Sequence, residues 1–227
     1  GVATNEWRFT TVNGVAITAP AVTTCIGGDF VDMDPIVIAE SSTSSFSVGT
    51  TQQLVLRVPT NYEMETGAGT VIVTGTEITN ASLVIATNTI TVQYDITGVG
   101  NINSIIISGL KIKANTLGAG SITYDASSTA LQQGNTTGMV HATLTSDPLP
   151  ANPTLSQTAV SFCENTDISS QTITASGAFM VRWYSDAALN NLLYTGITAN
   201  IQTNLGVNSA DVGTSTFYVT RDNGTCE

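Results

Sequence analysis

The chain has 227 residues, 41% of them hydrophobic and only 10% charged, with six Lys and Arg against seventeen Asp and Glu, a net charge of −11 and a pI near 4.1. That apolar share supports packed cores and excludes disorder by composition, while the acidic balance argues against a nucleic-acid backbone or an anionic membrane as partner. No apolar run approaches about eighteen residues, so no membrane insertion is expected, and the length leaves room for two domains.

Thr, Ser, Asn, Gly and Gln take the place of the missing charges, and this composition suits strands and turns rather than helices. Gly1 opens in polar, strand-like sequence without a basic-then-apolar leader, which reads as a mature form or an internal fragment. The end at Cys226-Glu227 favours a fragment. Trp7, with Phe9 on the same strand face and Arg8 on the other, is a weak candidate for ligand stacking; the default is a Trp that caps a sandwich end or meets the preceding module.

Strand-like runs follow at Val15–Ala19, Ile36–Ala39, Val71–Thr74, Ala81–Ala86, Ile105–Ile112, Ile122–Tyr124 and Met139–Leu144, separated by Gly-rich turns. Two further runs show clear alternation. Leu54, Leu56 and Val58 are expected inward with Gln53, Val55 and Arg57 outward; Ile90, Val92, Tyr94 and Ile96 face one way and Thr89, Thr91, Gln93 and Asp95 the other. No helical period is present. Such a series predicts a two-sheet sandwich or a jelly roll over residues 1–146.

Residues 147–153 lie in the proline-rich stretch SDPLPANP and predict a stiff linker. Residues 154–227 give strand-like stretches around Ala159–Phe162, Gln171–Ala175, Met180–Tyr184, Leu192–Tyr194, Ala199–Gln202 and Thr216–Thr220. Ser185–Asn191 reads as one helical turn or a wide hairpin loop. Trp183 and Tyr218 are the expected core aromatics. Cys163 and Cys226 bracket this module and form the expected disulfide, a staple for a small core that requires an oxidising compartment. Cys25 is then a buried free thiol, or its partner lies upstream of Gly1. The fold class is all-β, two antiparallel sandwiches in tandem with an immunoglobulin-like second domain.

Candidate chemistry is sparse. His141, in MVHATL, is expected to point outward with Met139 and Thr143, and no nucleophile motif accompanies it. One His and three dispersed Cys make no zinc site. Asp29, Asp32 and Asp34 form the densest carboxylate group; a solvated loop is the default and calcium the alternative, and no other cofactor is expected. Glu63 and Glu65 alternate on an extended segment as paired glycosidase acids would, but without a flanking aromatic platform. Lys111 and Lys113 read as protection of a sheet edge.

The stretches SFCENTDISSQTITASG, VRWYSDAALNNLLYTG and TSTFYVTRDNGTCE resemble an Ig-like repeat of large secreted surface proteins of gliding Bacteroidetes, with Cys163, Trp183, Tyr184, Tyr218 and Cys226 carrying the match. Before them, CIGG, PIVIAE, QQLVLRVP with NYEMETGAG, and INSIIISGLKIKA are similar to cohesin-like or carbohydrate-module-like sandwich repeats of such proteins. The resemblance implies a non-catalytic stalk or filament segment of an adhesin at the bacterial cell surface, exported by a type IX secretion system. Its partners would be neighbouring modules of the same polypeptide, the secretion machinery and a glycan or other surface ligand. The alternative is a carbohydrate- or protein-binding module accessory to a secreted hydrolase.

Overall fold

The computed structural model describes residues 14–177 and 179–227. The chain divides into two compact units at Asp147/Pro148. No helix occurs among the described residues, and the fold is all-β.

The first unit holds, in order, β1 (Val15–Thr18), β2 (Ala21–Cys25), β3 (Val31–Asp32), β4 (Ile36–Glu40), β5 (Gly49–Arg57), β6 (Tyr62–Met64), β7 (Thr70–Thr74), β8 (Ile78–Ala86), β9 (Thr89–Ile96), β10 (Ser104–Ser108), β11 (Lys111–Ala114), β12 (Gly120–Tyr124) and β13 (Val140–Asp147). They form a four-stranded sheet β1-β4-β10-β7, a six-stranded sheet β2-β13-β12-β5-β9-β8 and a small sheet β3-β11-β6. All pairings are antiparallel except β2 with β13, which run parallel.

Alternation builds the core. Ile36 and Ile38 of β4 and Ile105 and Ile107 of β10 meet Leu54 and Leu56 of β5 and Ile90, Val92 and Tyr94 of β9, all fully buried. Val58 and Ile96 join them, so the inward faces expected of β5 and β9 are the ones found. Val55 departs from its expected outward place. It is buried because the segment after β12 lies along β5, with Asp125 N–H donating to the Val55 carbonyl at 2.9 Å.

The apolar run Ile105–Ile112 is two strands, not one. Gly109 sits at φ 66°, a conformation open to glycine, and turns the chain from the four-stranded sheet into the small one. Bulges account for other departures. β12 and β13 slip register between Ile122 and Thr123, Ala142 facing the former and Val140 the latter. His141 is the extra residue, and the bulge turns it inward beside Ala142, so that it is completely buried rather than outward. Two more bulges flank β9, at Thr51 of β5 and Asn80 of β8, both with positive φ. Asp95 anchors both: its Oδ1 accepts the Thr51 N–H at 2.5 Å and its Oδ2 accepts Asn80 Nδ2 at 2.6 Å. Asp147, read from sequence as the first residue of a linker, is the last residue of β13.

The second unit contains β14 (Thr154–Leu155), β15 (Thr172–Ser176), β16 (Met180–Tyr184), β17 (Leu192–Thr195), β18 (Thr198–Asn200) and β19 (Tyr218–Asp222). They make two antiparallel sheets, β14-β15-β18 and β17-β16-β19, around Ala175, Val181, Trp183, Ala199 and Leu205. Trp183 is buried, and its Nε1–H donates to the Gly196 carbonyl at 2.8 Å. Tyr218 is exposed instead, because Phe217 and Val219 turn toward the core and alternation sends Tyr218 the other way. Ala159–Phe162 forms no strand. Ser185–Asn191 is a wide hairpin loop held by Asp186, whose carboxylate accepts the N–H groups of Ala188, Asn190 and Asn191.

The expected Cys163–Cys226 disulfide is absent. Cys163 follows the irregular 157–162 segment and is an exposed free thiol, whereas Cys25 and the buried Cys226 are disulfide-bonded.

Candidate interaction surface

The ionisable groups of the first unit largely hold the fold. Glu40 at the end of β4 is buried: its Oε1 accepts the Phe46 N–H at 2.7 Å, and its Oε2 accepts Asn103 N–H at 2.9 Å and Asn103 Nδ2 at 2.8 Å. Asn103 Nδ2 also reaches Glu77 Oε2 at 3.1 Å. Burial pushes the Glu77 carboxyl up, but the amides of Asn103, Asn101 and Gly100 outweigh it and hold the group below the usual range.

The sequence-derived acid pair behaves likewise. Glu63 and Glu65 face Lys113 and Lys111 across the β6–β11 region, at 2.7 Å and 3.6 Å. The hydrogen bond from Lys113, with one from Asn115, keeps Glu63 below its ordinary value, whereas a glycosidase acid needs the opposite shift. β11 is the central strand of its sheet, so Lys111 and Lys113 do not guard an edge; Lys113 also lies 4.6 Å from the centre of the Phe30 ring.

Asp29, Asp32 and Asp34 are exposed, and Asp32 is the cross-strand partner of Lys111. Among the described residues no group of three or more His, Cys, Asp or Glu side chains converges as a metal site. Trp7 lies outside the described residues.

His141 ends a buried polar chain. Gln132 Nε2 donates to the Tyr94 hydroxyl at 2.7 Å, Asn135 Nδ2 donates to Gln132 Oε1 at 2.7 Å, and the same amide lies 3.4 Å from His141 Nε2. His141 Nδ1 donates to the Met139 carbonyl at 3.0 Å, so the ring is the neutral tautomer that accepts at Nε2. Burial lowers its pKa. These bonds run from one buried side chain to the next, and Asn135 Oδ1 is left without a partner among the described residues.

In the second unit a cleft of about 690 Å³ opens over Trp183, lined by Leu155, Val160, Ile173, Val207 and Phe217 among others. Among the described residues that line it, Asp211 is the single ionisable one.

The four-stranded sheet of the first unit has a different character. Its outward residues are Ala16 and Thr18 of β1, Val37 and Ala39 of β4, Ser104, Ile106 and Ser108 of β10, and Thr70, Ile72 and Thr74 of β7. None is ionisable and none is aromatic. Cross-strand register aligns Thr18, Val37, Ile106 and Ile72 in one row across all four strands. Hydroxyl pairs flank that row, Thr74 with Ser104 at 2.6 Å and Thr70 with Ser108 at 3.1 Å, so those polar atoms already have partners. The result is a neutral face with an aliphatic stripe. Sequence reading located all four of its strands, β10 merged with β11, but missed the face, because it becomes visible only once the order β1-β4-β10-β7 is known.

No protein-family model matches the sequence, and no curated protein matches it. Among solved structures the chain is similar to a non-cellulosomal cohesin from the hyperthermophilic archaeon Archaeoglobus fulgidus, at 12% identity and a TM-score of 0.36, over 60% of this chain and 92% of that one. That likeness is too weak to bear on function.

Proposed function

We propose that this chain is a non-catalytic structural and adhesive segment of a larger extracellular bacterial surface protein. One observation carries the reading: in a chain of net charge −11, a whole four-stranded sheet face is free of ionisable groups and striped with Val37, Ile106 and Ile72. An uncharged face with an aligned aliphatic stripe suits contact with another macromolecule. The disulfide-bonded state of Cys25 and Cys226 supports an oxidising location. No helix among the described residues is long and apolar enough to cross a membrane.

The resemblance of the second module to repeats of Bacteroidetes surface adhesins supports the finer reading of a stalk or filament repeat, exported by a type IX system and flanked by further modules. In that arrangement the sandwich that ends at Asp147, the linker 148–153 and the Ig-like module 154–227 act as spacers, and the neutral face makes the contacts. A face without aromatic rings does not offer the stacking platform of a sugar-binding module.

The test is retention under flow of beads coated with the chain, on abiotic and polysaccharide-coated surfaces. Retention is expected to fall several-fold with Ile106→Lys, which places a charge in the centre of the stripe, and to be unchanged by Leu117→Lys, which lies off that sheet. Turnover of polysaccharide or peptide substrates by the purified chain, or retention indifferent to Ile106→Lys, would refute the proposal.

A further inference from the structure

Strand β7 reads the same in both directions. With its flanking residues it is Gly69-Thr70-Val71-Ile72-Val73-Thr74-Gly75, and both glycines have φ 90°. A Cβ at Gly69 would lie 3.1 Å from Leu110 Cδ2, and one at Gly75 would lie 2.2 Å from Asn103 Oδ1. The two glycines therefore turn the chain out of the sheet at both ends, and the strand between them is symmetric about Ile72.

On one side β7 pairs with β10; its other side is the edge of the sheet, with no partner strand among the described residues. Natural edge strands are blunted by lysine, proline, bulges or brevity. β8, the edge of the other sheet beside it, carries the bulge at Asn80, and β1 at the opposite edge has four residues with Val15 N–H bonded to the Gln133 carbonyl. Among the described residues β7 has no such guard: its five residues are all β-branched and uncharged, with Ile72 53% exposed.

We propose that the β7 edge is a two-fold pairing site for a second copy of this chain. Laid antiparallel about Ile72, the strand is its own complement: Ile72 faces Ile72 of the second copy, Val71 faces Val73 and Thr70 faces Thr74. A two-fold axis at Ile72 sets these residues opposite one another, and here every such pair is β-branched and uncharged, which stabilises a cross-strand ladder. The pairing carries the row Thr18–Val37–Ile106–Ile72 on into the second copy and joins two four-stranded sheets into one. Charge points to the same occupant. Two copies of a chain with net charge −11 repel, and an uncharged edge and face is where they can approach without opposing carboxylates.

A five-residue edge covers much less than the roughly 800 Å² per partner of a standard interface, so the dimer is weak and concentration-dependent. Salt strengthens it by screening the surrounding carboxylates. The inference rests on the neutral sheet face being the adhesive surface and names its partner as another copy.

Sedimentation equilibrium of the full chain at rising concentration tests it, together with oxidative cross-linking in a Cys163→Ser background. The expected result is a monomer–dimer equilibrium that tightens with added sodium chloride and weakens about tenfold or more with Ile72→Lys, which sets like charges face to face. In the Cys163→Ser background, Ile72→Cys is expected to give a disulfide-linked dimer, whereas the similarly exposed Ile102→Cys, outside the strand, is not. A chain monomeric at all concentrations would overturn the proposal, and so would a dimer indifferent to Ile72→Lys or equal cross-linking from both cysteines. Loss of pairing with bead retention still sensitive to Ile106→Lys would leave the adhesive function standing and remove only the second copy.

Discussion

Asn103 gives two hydrogen bonds to one oxygen of Glu40, from its backbone at 2.9 Å and its side chain at 2.8 Å, across 63 positions of sequence. This contact joins the end of β4 to the entry of β10, and the same Asn103 amide reaches Glu77. The neutral face is built on these two strands, so the network that fixes them sits at the root of the proposed contact surface.

Glu40→Leu is therefore expected to destabilise the first unit by about 3 kcal/mol, because the Phe46 and Asn103 donors lose their acceptor in a buried setting. Urea denaturation measures this. Adding Asn103→Ala should cost less than the two single changes summed, since both remove the same interaction. Full additivity would mean that the network is not a unit.

Stability should fall between pH 6.5 and the carboxylate range, and His141 is the cause. Its folded pKa is lowered by burial, so the unfolded chain takes up a proton first as pH falls. Stability is therefore at its plateau above the ordinary histidine pKa of about 6.5 and is lost as pH drops from there through the folded value. The chain has one histidine, so no other imidazole contributes in that window. Urea midpoints at about pH 5 and pH 7.5 should differ in the parent chain and converge in His141→Gln. A difference that persists in the variant would show that another group titrates.

Trp183→Ala should cost about 3–5 kcal/mol, enough to unfold a core of five buried residues, since it removes the largest side chain there and leaves the Gly196 carbonyl without its donor. Trp183→Phe should be milder, costing about 1–2 kcal/mol, chiefly for the lost hydrogen bond. Differential scanning calorimetry should show the transition of the second unit lowered while that of the first is unmoved. An unchanged profile in Trp183→Ala would contradict the packing.

Alkylation without reduction should label Cys163 alone, and labelling after reduction should add Cys25 and Cys226. Peptide mass spectrometry distinguishes the three sites. Protection of Cys163 before reduction would restore the pairing that the sequence suggested.

Much of the sandwich was legible. The alternation in Ile90–Ile96 and Leu54–Val58 requires a half-buried strand, and these residues are in the core. What escaped was each place where one residue breaks the period. The bulge at His141 reversed its side, and Gly109 split a run that hydrophobicity alone reads as continuous. Tyr218 was assigned to the core by its motif, although the parity of Phe217 and Val219 already sends it outward. The cysteine pairing failed for another reason: closeness within one module is no guide to which thiols face each other. The neutral face and the β7 edge depend on strand order, which local sequence does not encode.

The parallel alignment of β2 with β13 has a consequence for a chain under tension. Ala21 and Asp147 lie at opposite ends of that five-pair ladder. A pull applied at those two points drags the strands past each other lengthwise, so the rungs must yield together. Peeled from one end, the same rungs would fail singly, so a pull at these two points meets more resistance than one that unzips the ladder.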